Sequence, residues 1–146
     1  MDEIDKDILE ELKINARATA SDISKKVNLS IPAVAERIKK LETYNIIEKY
    51  TVKLNRIEQG YSLLAFIFVD IDKTENILPF REKIVTCKNV LECHHIAGNH
   101  DYLLKVLVKN SLELEDFLMN TLKQIKGIAS TDTIISLSTL KDEINI

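Results

Sequence analysis

Ile4, Ile8, Leu9 and Leu12 recur at the three- and four-residue steps of an α-helix, and Asp2 stands ahead of them as an N-cap. In "TASDISKKVNLS", Thr19 followed three residues later by Asp22 forms a capping box, with Asp where Glu or Gln is usual. Ile23 and Val27 then predict a helix of two turns, and Asn28, which tolerates the left-handed conformation, ends it. Ser30 caps a third helix, Pro32 fits its first turn, and Val34, Ile38 and Leu41 form its apolar stripe. Asn45 suits a left-handed C-terminal cap. Residues 46–56, "IIEKYTVKLNR", alternate and predict a strand leaving the helical unit.

Beyond Gly60 the pattern changes. Strands are predicted over 61–71, 89–97, 101–109 and 128–139, with helices over 75–86 and 112–125. The second helix carries Leu114, Leu118, Leu122 and Ile125 on one face, with Ser111 as its cap. The order β-α-β-β-α-β predicts a ferredoxin-like sandwich, so the chain reads as α+β. Three segments follow: 1–45 helical, 46–60 linking, and 61–146 the sandwich. Strand 61–71 is apolar on both faces: Leu63, Ala65, Ile67 and Val69 against Leu64, Phe66 and Phe68. Helices cover one face only, and the connections are too short to cover the other, so a homodimer is expected.

Composition narrows the class. The chain has 146 residues, 45% of them hydrophobic, with a mean hydropathy of -0.06, enough to bury a core. No run reaches the ~18 apolar residues of a membrane span, the start "MDEIDKDILEEL" does not resemble a signal peptide, and two cysteines make no disulfide framework. A cytoplasmic protein with no membrane partner is expected. The net charge of -3 is unevenly spread: residues 1–16 carry -4, residues 17–56 carry +5, and residues 57–146 carry -4. The basic block coincides with the paired helices, which suggests an anionic partner.

Two helices joined by a tight turn make a helix-turn-helix, whose second helix enters the major groove of double-stranded DNA. Its outward residues are Ser30, Pro32, Ala33, Glu36, Arg37 and Lys40, with Arg37 the best placed for a guanine or phosphate. Lys25, Lys26, Lys39, Lys49 and Lys53 are available for phosphates. A three-helix bundle with a solvated basic face is the plainer alternative.

The stretch "ECHHIAGNHDY", residues 92–102, holds all three histidines. A two-residue type II′ turn at Gly98-Asn99 would place Cys93, His95, His100 and Tyr102 on one face, which makes a zinc site conceivable, whereas a three-residue loop would scatter them. That face also carries Leu91, Ala97, Leu104, Val106 and Val108 and reads as core, so neither a metal nor another cofactor is expected. His100 and Asp101 are adjacent and point to opposite faces of a strand, and no Gly-x-Ser-x-Gly motif occurs, which argues against catalysis. A binding turn fits better. Gly98 permits close approach, Asn99, His100 and Asp101 offer polar groups, and Thr131 and Thr133 follow in "STDT". Backbone donors for a carboxylate and Asp101 for an ammonium suit a zwitterion. A solvated hairpin tip is the alternative.

The whole chain resembles the Lrp/AsnC, or feast/famine, regulators. "IDKDILEELKINARATASDISKKVNLSIPAVAERIKKLETYNIIEKYTVKLNRIEQGY" looks like the family's DNA-binding domain, with Asp-x-x-Ile-Leu, Asn-Ala-Arg and a Ser-x-x-x-Val-x-x-Arg recognition helix. "IAGNHDYLLKV" is similar to its Gly-x-x-Asp-Tyr hairpin, and "IKGIASTDTIISLSTLK" to its last strand. The resemblance implies a winged helix-turn-helix domain and a ferredoxin-like (RAM) effector domain that dimerises through its sheet. It also implies dimers joining into octamers, and an amino-acid effector near Gly98, Asn99, His100, Asp101, Tyr102, Thr131 and Thr133. The family often has Gly where Asn28 and Asn45 stand, and its motif does not require His100. Two other readings are a siroheme decarboxylase-like enzyme and an architectural DNA-binding protein without a ligand. The first is weakened by the absence of an Arg-rich segment, since only Arg17, Arg37, Arg56 and Arg81 occur.

Overall fold

The computed structural model describes residues 1–145, so residue 146, the last of the expected sandwich segment, lies outside the described residues. The chain divides into two compact units, Met1–Lys53 with the residues from Glu143, and Leu54–Asp142.

The first unit is three helices: α1 (Glu3–Ile14), α2 (Ala20–Val27) and α3 (Ile31–Thr43). Each start is fixed by the predicted side chain. Asp2 and Asp5 form a reciprocal capping box on α1, Thr19 and Asp22 another on α2, and the Ser30 hydroxyl accepts from Ala33 N–H at the start of α3. Such caps each contribute about 1 kcal/mol. Asn28 (φ 53°) and Asn45 (φ 55°) both adopt the left-handed conformation, as their sequence contexts suggested. Ile8, Leu12, Ile23, Val34 and Leu41 close the core, with Ile38 packed at its edge.

Residues 46–56 form no strand. Ile46 and Ile47 N–H both donate to Leu41 O, which wraps the chain round the end of α3. Ile47 then packs on the helical core, and the Tyr50 hydroxyl donates to Glu42 at 2.9 Å. The alternation is present, but a strand requires a ladder partner, and the sheet formed by the described residues lies wholly in the second unit. Among the described residues no β-wing accompanies the three helices, for the same reason.

The second unit is the expected sandwich: β1 (Leu63–Ile71), α4 (Ile77–Ile84, entered by a 3-10 turn), β2 (Val90–His95), β3 (Tyr102–Val108), α5 (Ser111–Asp116) and β4 (Ile128–Ile135). The four strands form one antiparallel sheet in the order β2-β3-β1-β4. Asn110, not Ser111, caps α5, accepting from Glu113 N–H, because Ser111 is already inside the first turn. The helix expected to 125 widens into a π turn over Phe117–Thr121 and tightens into a 3-10 turn over Leu122–Gln124, which keeps Phe117, Leu122 and Ile125 all buried.

Register assigns the faces. Ala65, Ile67 and Val69 of β1 and Tyr102, Leu104, Val106 and Val108 of β3 point to the helices and pack on Phe80, Ile84, Leu114, Phe117 and Leu122. Each fully buried large side chain contributes roughly 1.5–3 kcal/mol. Paired residues give one row across this face, His95-Tyr102-Val69-Thr131, and a second, Cys93-Leu104-Ile67-Thr133. A register shift between Val90 and Glu92 takes Leu91 out of the face predicted for it and leaves it exposed. The opposite face carries Leu64, Phe66, Phe68, Leu103, Leu107 and Ile134 together with Lys105 and Asp132; Leu64 is buried, but none of these joins the core under the helices.

Candidate nucleic-acid interface and effector hairpin

Helices α2 and α3 meet through the three residues 28–30, the turn length of a helix-turn-helix. Asn28 and Leu29 N–H both donate to Ser24 O, which closes the turn without a glycine. On α3, Ile31, Pro32, Ala35, Glu36, Lys39 and Lys40 are exposed, and Ala33 and Arg37 are half-buried. Ser30 is exposed, but its hydroxyl is engaged in the cap. Exposed Ile31 and Ala35 were not anticipated; their signal was simple helical spacing from Pro32 and Lys39.

Arg37 does not project from this surface as expected. One guanidinium nitrogen, Nη1, donates to both carboxylate oxygens of Asp2 (2.9 and 2.8 Å) and to Asp5 Oδ1 at 2.6 Å. The capping box that starts α1 therefore also holds α3. The Asp5 N–H and then Arg37 keep the Asp2 carboxyl below its ordinary value, and the two carboxylates raise Arg37. Around this clamp lies a cavity of about 380 Å³, lined by Met1, Ala33, Glu36, Lys40 and Tyr44 among others. Lys40 pairs with Glu36 at 2.8 Å, and Lys26 pairs with Glu11. Lys25 and Lys39 have no carboxylate partner among the described residues.

The β2-β3 connection is wider than the predicted two-residue turn. Ile96 N–H donates to Asp101 O, so residues 97–100 form the loop, and Gly98 does not take a positive φ. The change separates the four residues expected on one face. Cys93, His95 and Tyr102 keep to the helix side, where burial pushes the Cys93 thiol up. His95 is exposed rather than packed away, and stacks on Tyr102 with ring centroids 5.0 Å apart. His100 leaves the strand for the opposite face, stacks on Phe68 at 4.7 Å and contacts both Asp70 oxygens at 3.2 Å. No three His, Cys, Asp or Glu side chains converge as a metal site among the described residues.

Asp70, at the end of β1, ties this end of the sheet together. It accepts from Ser130 Oγ at 2.5 Å and from Asp101 N at 3.3 Å, as well as contacting His100. The Ser130 hydroxyl, then His100, keep its carboxyl below the ordinary value. Asp101 turns back toward β1, its Oδ2 accepting from Ile71 N–H at 2.8 Å. Tyr102 is buried, its hydroxyl accepting from Arg81 Nε at 2.7 Å. Thr131 is two strands from Tyr102, roughly 10 Å at ordinary strand spacing, so within one chain Thr131 and Thr133 do not meet Gly98 and Asn99. Asp70 was missed, although a carboxylate ending the run "LLAFIFVD" was a visible signal. Arg81, on α4, gave none.

The AsnC-type helix-turn-helix domain model matches residues 1–42, and the Lrp/AsnC ligand binding domain model matches residues 64–146. The chain belongs to the Lrp/AsnC family. An HTH-type transcriptional regulator of Pyrococcus abyssi is 37% identical over 146 residues, 99% of this chain and 97% of its own length. The transcriptional regulator AzlB of Bacillus subtilis is 32% identical over 100% of this chain and 94% of its own. Among solved structures, a transcriptional regulator of Neisseria meningitidis in complex with L-Met superposes with a TM-score of 0.96 at 27% identity, covering 100% of this chain and 96% of that one. This Lrp/AsnC protein is thus a transcriptional regulator with a helix-turn-helix DNA-binding domain and a ligand-binding domain. Its relatives named here are regulators too, and no helix among its described residues is long and apolar enough to cross a membrane.

Proposed function

We propose that this regulator binds a pseudo-palindromic DNA site as a cytoplasmic homodimer, that dimers join into octamers, and that an amino acid or related metabolite shifts its assembly or DNA affinity. Residues 1–45 serve DNA binding, 46–60 act as the hinge, and 61–146 bind effector and assemble the protein. On α2 and α3, Lys25, Lys26, Lys39 and Lys40 meet phosphates, while Ser30, Pro32, Ala33 and Glu36 line the base edges. Arg37 acts through position, by fixing α3 on α1.

The observation that carries the effector reading is Gly98. Its φ is not positive, and a Cβ built there would meet nothing within 4 Å. Neither local backbone nor packing within the chain requires glycine, so its use lies in close approach by a ligand or a second copy. Asn99, His100, Asp101, Thr131 and Thr133 complete the site across a junction between copies, with Tyr102 as its buried floor. The L-Met complex of the Neisseria relative supports an amino acid as the class of ligand.

Mobility shifts of the protein on a DNA site selected for binding from random sequence, with each of the twenty amino acids in turn, test this reading. At least one amino acid changes the affinity or stoichiometry, and Asp101→Ala abolishes the change while the ligand-free shift persists. An unchanged response in Asp101→Ala removes that carboxylate from the site.

The DNA surface has its own test. Lys39→Ala lowers the slope of log affinity against log salt by about one unit and leaves Tm unaltered, as loss of one phosphate contact does. Arg37→Ala lowers the Tm of the helical unit as well as DNA affinity. Equal Tm values for the two variants would contradict the clamp.

A further inference from the structure

Arg37 and Arg81 are opposites. Arg37 is half-buried on two carboxylates, whereas Arg81 is exposed and has no carboxylate partner among the described residues. Yet Arg81 is not loose. Its Nε donates to the Tyr102 hydroxyl at 2.7 Å, its Nη2 lies 3.3 Å from His95 Nδ1, and its Cζ sits 5.6 Å from the Tyr102 ring centroid. Tyr102 is itself immobilised, 2% exposed and packed on Phe80 with centroids 4.7 Å apart. The guanidinium is held by two partners, neither of them a carboxylate, that use two of its five N–H donors. A His95 ring accepting at Nδ1 carries its proton on Nε2, which adds another donor beside it. A fixed, exposed guanidinium without a carboxylate partner is the arrangement that recognises a carboxylate.

Its place in the fold selects the ligand. His95 ends β2 and Tyr102 begins β3, so the cluster stands at the foot of the loop that holds Gly98 and Asn99 and is followed by Asp101. Building on the effector reading above, an amino acid on that loop satisfies its own carboxylate with backbone N–H groups and its ammonium with Asp101. Arg81 is then left over for a third charge. We infer that Arg81, with His95 and Tyr102, forms a carboxylate subsite that makes this regulator selective for a dicarboxylic amino acid over its amide.

The comparison of L-glutamate with L-glutamine isolates that charge at nearly constant shape. Isothermal titration of the full-length protein should show L-glutamate binding about tenfold or more tighter than L-glutamine, the range of one charge-assisted hydrogen bond. Arg81→Gln should bring the two to parity, and Arg81→Lys, which keeps the charge, should restore part of the preference. Equal affinities in the wild type, an L-glutamate affinity untouched by Arg81→Gln, or binding of neutral amino acids only would each overturn the subsite and leave an amino-acid effector standing. Binding by none of the twenty amino acids would overturn both.

Discussion

Gly127→Ala should lower the stability of the second unit by about 2–4 kcal/mol, combining a backbone misfit with an overpacked contact. Gly127 has φ +90°, and a Cβ there would lie 2.2 Å from Asn76 Cβ and 2.6 Å from its Cγ. Asn76 cannot retreat. It is 5% exposed, its Nδ2 donates to Asp72 at 2.7 Å, and it leads directly into α4. Gly127 O in turn accepts from Asp72 N–H at 2.9 Å, so the clash falls where β4 joins the sheet. Thermal unfolding should show Tm reduced on the order of 10 °C or more for a unit of this size. Gly60→Ala is the control, because Gly60 has φ +81° but nothing within 4 Å of a Cβ. It bears the backbone misfit alone and should cost roughly 1 kcal/mol. Equal losses at the two positions would mean that the Asn76 contact is irrelevant.

Phe66→Glu should separate the proposed dimer without unfolding the chain. Phe66 lies on the sheet face away from the helices, between Leu64 and Phe68 along β1, and is paired with Ile134 of β4 and Lys105 of β3. In a single chain it is only half-buried, so a carboxylate there stays solvated. In a sheet-to-sheet interface the same carboxylate faces apolar side chains and its burial costs several kcal/mol. Sedimentation should report the monomer mass with an unaltered circular dichroism spectrum. DNA affinity should fall by about 10²–10⁴-fold, because two half-sites are no longer engaged by one particle. A variant that stays dimeric would place the interface elsewhere.

What could be read from the sequence was local. The capping residues Asp2, Thr19 and Ser30, and Asn28 and Asn45 at their turns, act within a few residues, and each was visible beside the helix that it bounds. The strands of the sandwich were visible as β-rich runs, the first of them apolar on both faces, and their ladder partners lie in the same chain. Residues 46–56 failed for the complementary reason: alternation reports a capacity to pair, not the presence of a partner. The candidate sites were harder. Arg37 looked like a reader of bases, and only the fold brought Asp2 and Asp5 to it across more than thirty residues. The face of His100 hung on the loop length, and a four-residue loop, not a two-residue one, joins β2 and β3. Thr131, Thr133 and Gly98 were named together, but one chain keeps them strands apart.

The Arg37 clamp has a practical consequence at the bench. Asp2 is at once the cap of α1 and the anchor of α3, and Met1 lines the cavity beside it. An affinity tag fused ahead of Met1 places bulk and charge one residue from the contact that orients the recognition helix. Preparations tagged at that end and then assayed for operator affinity would report on the tag as well as on the regulator, so the purification handle belongs elsewhere or should be cleaved before measurement.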